Sequence, residues 1–183
     1  MPDVLRLIPQ SLIAPRPEGL SADEIHAALA QAIAPIKAQL RKVLLLPPDY
    51  TRLHANAGLI TQMLYSMLQP ACQVDIMPAL GTHVPVSQSE WQQMFGVIPY
   101  ERMLVHNWRT EVEKIGEVPA SYVSEISEGL VNHSIPVEVN RRLLDKSYDL
   151  ILSIGQVVPH EVVGMANQSK NVFVGCGGSR MIN

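Results

Sequence analysis

Charge is scarce in this 183-residue chain. Asp, Glu, Lys and Arg make up 17% of it against 47% hydrophobic residues, the net charge is −3, and no block of five or six like charges occurs. A nucleic-acid-binding arm and a polybasic membrane patch are therefore not expected. No run of about 18 apolar residues is present, so no membrane span is expected. The opening "MPDVLRLIPQSLIAPRP" lacks the basic start and long apolar stretch of a secretion signal. Cysteine is rare as well: Cys72 and Cys176 form no CxxC pair and read as two buried reduced thiols of a cytoplasmic protein. Repeats and low-complexity segments are missing too. What remains is an apolar content sufficient for an ordinary core in a chain of single-domain length.

The pattern along the chain alternates between two periods. Residues 3–8 (DVLRLI) read as a short strand. In "SADEIHAALAQAIAPIKAQL", Ser21 and Glu24 form a capping box, and Ile25, Leu29, Ala32, Ile33, Ile36 and Leu40 keep helical spacing until Pro35 bends or breaks the helix. The run KVLLL at 42–46 suits a strand buried on both faces. A helix is expected over "LHANAGLITQMLYSMLQP", with Leu59, Met63, Met67 and Leu68 on one side. "CQVDIMPAL" reads as a strand and "SQSEWQQMFG" as a short helix, with a second capping box (Ser87, Glu90) and Gly96 at its end. "RMLVHNW" reads as a strand or sheet edge, and "EVEKIGEVPASYVSEISEG" as a peripheral hairpin turning at Pro119–Ala120. The strand Tyr148–Ile154, a helix starting near His160 and a final strand "KNVFVG" complete the reading. The fold class implied is α/β: a Rossmann-like, mostly parallel sheet with helices on both faces.

Ligands of such sheets bind beyond the carboxyl ends of the strands. The polar residues there are Asp49, Thr51 and Arg52 after KVLLL, Thr82 and His83 after the Cys72 strand, His106 and Asn107 after RMLV, and Pro159 and His160 after DLILSIG. Arg52, just before a helix, suits a carboxylate or phosphate, with Asp49 holding the guanidinium or simply capping the helix. His83 sits on a glycine turn. His160, at an expected helix start, leans toward a neutral, base-competent form. The two rings together suit general bases on opposite sides of a substrate. His106 reads as structural, and Lys170 either as a solvated lysine or as an amine held over the site.

In order, "PPDYTR", "ALGTH", "VHNW" and "GQVVPHEVVGMANQSK" resemble the N-terminal domain of the nickel-pincer lactate racemase family, from the 42–46 strand to Asn183. The resemblance implies that residues 1–183 are the N-terminal α/β domain of a larger two-domain protein, with the active site between the domains. It implies a nickel-pincer nucleotide cofactor (a pyridinium-3-thioamide-5-thiocarboxylic acid mononucleotide carrying nickel), tethered through a thioamide to Lys170, with Asp49 and Thr51 alongside. It makes His83 and His160 the alternating acid and base, and Arg52 the group that orients the carboxylate of a small 2-hydroxy acid. The reaction implied is racemisation or epimerisation by proton-coupled hydride transfer. The family's nickel-ligating histidine falls beyond Asn183, so no metal ligand is expected in this chain and the isolated domain is expected to be inactive.

One departure stands out. The family's GFSGGxK reads "GMANQSK" here, with Asn167 and Gln168 in place of the glycine pair. Two other readings fit the same residues. One is a non-catalytic small-anion-binding domain that depends on Arg52 and has lost the cofactor. The other is a zinc hydrolase in which His83, His106 and His160 converge on a metal.

Overall fold

The apolar run at 42–46 forms the centre of the sheet. The structure, a computed structural model, describes residues 6–182. In it β1 (Lys42–Leu46) is flanked by two parallel partners, β2 (Gln73–Ile76) on one side and β5 (Leu150–Ser153) on the other. Val43, Leu44, Leu45 and Leu46 are each fully buried. This is why the run shows no alternation: a strand covered on both faces has no solvent side to mark with polar residues.

One face packs against helices α1 (Ala22–Ile33), α2 (Ala57–Leu68) and α3 (Gln88–Phe95), with Val43, Leu45, Val74 and Ile76 meeting Ile33, Leu64, Leu68, Trp91 and Phe95. On the other face Leu44, Leu46 and Met77 lie with Tyr148, Cys176 and Leu143. Both capping boxes are present. The Ser21 and Ser87 hydroxyls accept from the amides of Glu24 and Glu90, whose carboxylates reach back to the cap amides. Helix α1 stops at Ile33, just before Pro35, whose ring cannot continue the ladder. Cys72 and Cys176 are buried and unpaired. Among the described residues no helix is long and apolar enough to cross a membrane.

Several segments depart from the sequence reading. Residues 3–5 of the expected first strand lie outside the described residues. Arg6–Ile8 form no strand; the Ile8 amide instead donates to Ala32 O on α1. Helix α2 begins only at Ala57, because Tyr50–Ala55 wind as a 3-10 turn and Asn56 takes a left-handed φ of 54°. Its buried side is Ala57, Gly58, Thr61, Leu64 and Leu68, a face rotated from the one expected; Gly58 permits that, since an added Cβ there would lie 2.2 Å from Met94 O on α3. The RMLV segment contributes one bridge, Met103 to Ile76, and so is a sheet edge.

The peripheral hairpin exists but does not turn at Pro119–Ala120. Strand β3 (Val112–Val118) pairs antiparallel with β4 (Ile135–Asn140), and the connection contains helix α4 (Ala120–Ile126), which Pro119 starts. No helix begins at His160 either. Pro159–His160 (β6) pairs with Gly164–Met165 (β7) in a tight loop that Gly164 closes with φ 80°. Finally, "KNVFVG" is not a strand: Ser169–Phe173 coil into the short helix α5, followed at the chain end by α6 (Ser179–Ile182). Short apolar runs do not separate strand from helix by periodicity. Here Asn171 decides, since its buried amide donates to Ser153 Oγ and Asn167 Oδ1 and pins that one turn against the end of β5.

Candidate active site

The carboxyl ends of β1, β2 and β5 open onto one cavity of about 370 Å³. Asp49, Thr51, Arg52, Thr82, His83, His160 and Lys170 all line it. Three separate loops and helix α5 deliver these residues. The β1–β2 pairing resumes past the strand ends at Pro48 and Ala79, which brings the loop carrying Asp49 beside the loop carrying His83. Gly81, at φ 57°, lets the latter turn tightly, with the His83 amide donating to Leu80 O and the Gly81 amide to Gly175 O. That last bond ties the His83 loop to the segment following α5, the helix that carries Lys170.

Asp49 does not hold Arg52, as one sequence reading had it. Its Oδ1 accepts from the Thr51 amide at 3.1 Å and the Thr51 hydroxyl at 2.5 Å, and its Oδ2 meets His83 Nδ1 at 2.5 Å. Asp49 thus caps the 3-10 turn that begins at Tyr50 and, with its side chain 8% exposed, anchors a ring that is itself 59% exposed. A carboxylate at Nδ1 favours the proton on that nitrogen, which leaves the lone pair on Nε2.

His160 is held the opposite way. Its Nδ1 accepts from the amides of Val162 (3.2 Å) and Val163 (3.4 Å). A carboxylate oxygen of Glu161 also lies 3.8 Å from the same nitrogen. The sequence reading put His160 at a helix N-terminus; in the structure the ring is positioned by the β6–β7 loop instead.

Arg52 and Lys170 form no ion pair among the described residues. Both act on Glu161, a cavity residue the sequence reading missed although it directly follows His160. A hydrogen bond to its own backbone, then the fields of His160, Arg52 and Lys170, hold the Glu161 carboxyl below its ordinary range. Two cations acting on one carboxylate make this side of the cavity suited to an anion.

His106 does not join the site chemistry. It is buried, its Nε2 bonds Gly177 O at 3.0 Å and its Nδ1 bonds the Asn140 amide at 2.9 Å, and burial pushes its pKa down. With both nitrogens engaged it has no lone pair for a metal. Among the described residues no group of three or more His, Cys, Asp or Glu is placed to hold a metal ion, which removes the geometric basis of the zinc reading.

The loop before Lys170 keeps glycine-like geometry without the glycines. Asn167 has φ 60° and Gln168 φ 48°, ψ −129°. Asn167 tolerates this and uses its side chain, donating to Gly155 O at 2.8 Å and accepting from Ser153 Oγ at 2.9 Å. Gln168 stands in a region that glycine populates without strain.

The sequence model of the lactate racemase N-terminal domain matches residues 5–183. The chain belongs to that family. Its fold is similar to a crystal structure of a Thermotoga maritima protein, at 28% identity and a TM-score of 0.76, covering 88% of this chain and 39% of that one. It is also similar to the lactate racemase apoprotein from Thermoanaerobacterium thermosaccharolyticum, at 20% identity and a TM-score of 0.65, covering 86% of this chain and 37% of that one. This chain therefore spans well under half the length of either neighbour. A comparison with curated proteins found no match. Family membership accounts for the α/β architecture; residue roles rest on the geometry above.

Proposed function

We propose that this chain is the N-terminal domain of a nickel-dependent racemase or epimerase of small 2-hydroxy acids. The observation that carries the proposal is the convergence of Arg52, His83, His160 and Lys170 on one cavity, with a carboxylate facing Nδ1 of one imidazole and backbone amides facing Nδ1 of the other. The rest of the full-length protein, as a second domain, would close the open side of the cavity and add the metal ligand.

The residues fit the cofactor that the family implies. The Lys170 amine, which no carboxylate pairs with among the described residues, is available for a covalent tether, and the cationic surroundings suit a phosphate-bearing nucleotide. Lys170 would hold the nickel-pincer nucleotide, with Asp49 and Thr51 alongside; when bound, that group supplies the reversible hydride acceptor. The protein's own residues do the remainder. Arg52 grips the substrate carboxylate through its planar fork. His83 Nε2, with its lone pair directed by Asp49, accepts the hydroxyl proton as the carbinol carbon becomes planar. His160 is the second proton-handling group at the same oxygen, and it returns a proton when it enters the step as the imidazolium, so that giving up Nε2–H leaves a neutral ring. Inversion requires proton-handling groups for both hydroxyl orientations, and two imidazoles on one cavity meet that need.

The test is an intact mass with nickel quantification on the full-length protein, co-expressed with the enzymes that make the cofactor, comparing wild type with Lys170→Ala. A nickel-bearing adduct that disappears in the variant supports the reading. Neither adduct nor nickel, under conditions that load a known racemase, rejects it and leaves an anion-binding domain.

A further inference from the structure

A second cavity, of about 440 Å³, shares Thr82 and His83 with the first and runs on past them along Asn107, Trp108, Arg109 and Thr110. No carboxylate lines it. Its cation is Arg109, whose guanidinium lies 3.5 Å from the centre of the Trp108 ring and makes no ion pair among the described residues. Contact with the face of an indole leaves N–H groups of a guanidinium free to bind and restrains a long side chain before anything binds. A fork of five donors with no acceptor, held in place beside an amide and two hydroxyl side chains, is built for a carboxylate. The two cavities share the ring proposed for proton transfer as a wall, so the second lies beside the place where a molecule would react at His83.

We infer that the second cavity takes the far end of the substrate and that this end is a carboxylate. The protein then acts on 2-hydroxy diacids, with Arg52 orienting the carboxylate next to the reacting carbon and Arg109 reading the distal one. Arg109 is a specificity-determining residue in this scheme, not a catalytic one. The inference rests on the racemase reading above for its choice of substrate, but its test does not depend on turnover.

The experiment is isothermal titration of 2-hydroxyglutarate and of lactate into the full-length protein without cofactor, for wild type and Arg109→Gln. The diacid is expected to bind roughly tenfold to a hundredfold more tightly than lactate, the range of one charge-assisted contact. Arg109→Gln should erase that margin and leave lactate unchanged; the residue is exposed, so the variant keeps the wild-type melting temperature. Equal affinity for the two acids in wild type overturns the inference, as does a margin that survives the substitution or a loss shared equally by both acids. If the same proteins loaded with nickel cofactor invert neither acid, the racemase reading fails while the binding margin still decides the role of Arg109.

Discussion

Replacing Asp49 by Asn exchanges one oxygen for an amide nitrogen and reverses the polarity of the hydrogen bond at His83. In the wild type the carboxylate takes both Thr51 donors on Oδ1 and His83 Nδ1 on Oδ2. Asn keeps Oδ1 for Thr51, so its NH₂ must face His83 Nδ1, which then has to accept. The ring proton moves to Nε2 and the lone pair leaves the cavity. A hydrogen bond to a charged group contributes about 1.5–3 kcal/mol. Because the His83 side chain is 59% exposed, water competes for the ring and the lower part of that range applies. The base-competent tautomer should therefore fall by roughly ten- to thirtyfold, at about 1.4 kcal/mol per factor of ten. Long-range ¹H–¹⁵N spectra of the histidine rings in the full-length protein should find His83 protonated on Nδ1 in wild type and on Nε2 in Asp49→Asn, with inversion slowed by at least the same factor. A wild-type ring carrying its proton on Nε2, or no change of tautomer in the variant, would refute the assignment of His83 as the resting base.

Gln168→Gly should stabilise the protein by about 1 kcal/mol, because the strain relieved at the positive φ of 48° outweighs the opposing effect of glycine's extra unfolded-state freedom; denaturant melts check this. Cys176, its thiol pushed up to about 12 by burial, and Cys72, raised chiefly by the same cause, should both be unreactive toward a thiol reagent until the chain unfolds. Ser21→Ala should cost about 1 kcal/mol through loss of the cap. Hydrogen bonds from Ser21, then Arg16, hold the Glu24 carboxyl at about 2, below its ordinary 4.5. A depressed folded-state value means stability that is present above the ordinary one and lost as pH falls from 4.5 toward 2, and melts across that window should show a smaller loss in Ser21→Ala.

The parallel sheet and both capping boxes were legible in the sequence because their causes are local or nearly so. A both-sides-buried strand must be apolar throughout, and a serine followed by Glu at the third position closes its own box. The misreadings share a different origin. "KNVFVG" has strand composition, yet its conformation is set by Asn171 reaching back to Asn167 and, eighteen residues away, to Ser153 at the end of β5. "PHEVVG" has a proline and a plausible helix start, yet Gly164 folds it into β6–β7. Pro119 does begin an element, but the element is α4 and the strand's partner lies beyond it.

The site shows the same division at the scale of single atoms. Sequence reasoning brought Asp49, Arg52, His83, His160 and Lys170 to the strand ends, because the topology of a parallel sheet puts loop residues there. It read both histidines as neutral bases, since a residue type carries no information about which ring nitrogen is occupied. The difference between the rings lies in what faces Nδ1: a carboxylate from the loop after β1 at His83, and two backbone amides from its own loop at His160. Both arrangements leave a nitrogen available to the cavity, but a ring can return a proton only from its imidazolium form, since a neutral ring that gave up its last N–H would be left as an imidazolate. The sequence places the two rings, and their partners at Nδ1, which only the fold supplies, decide how each can exchange a proton.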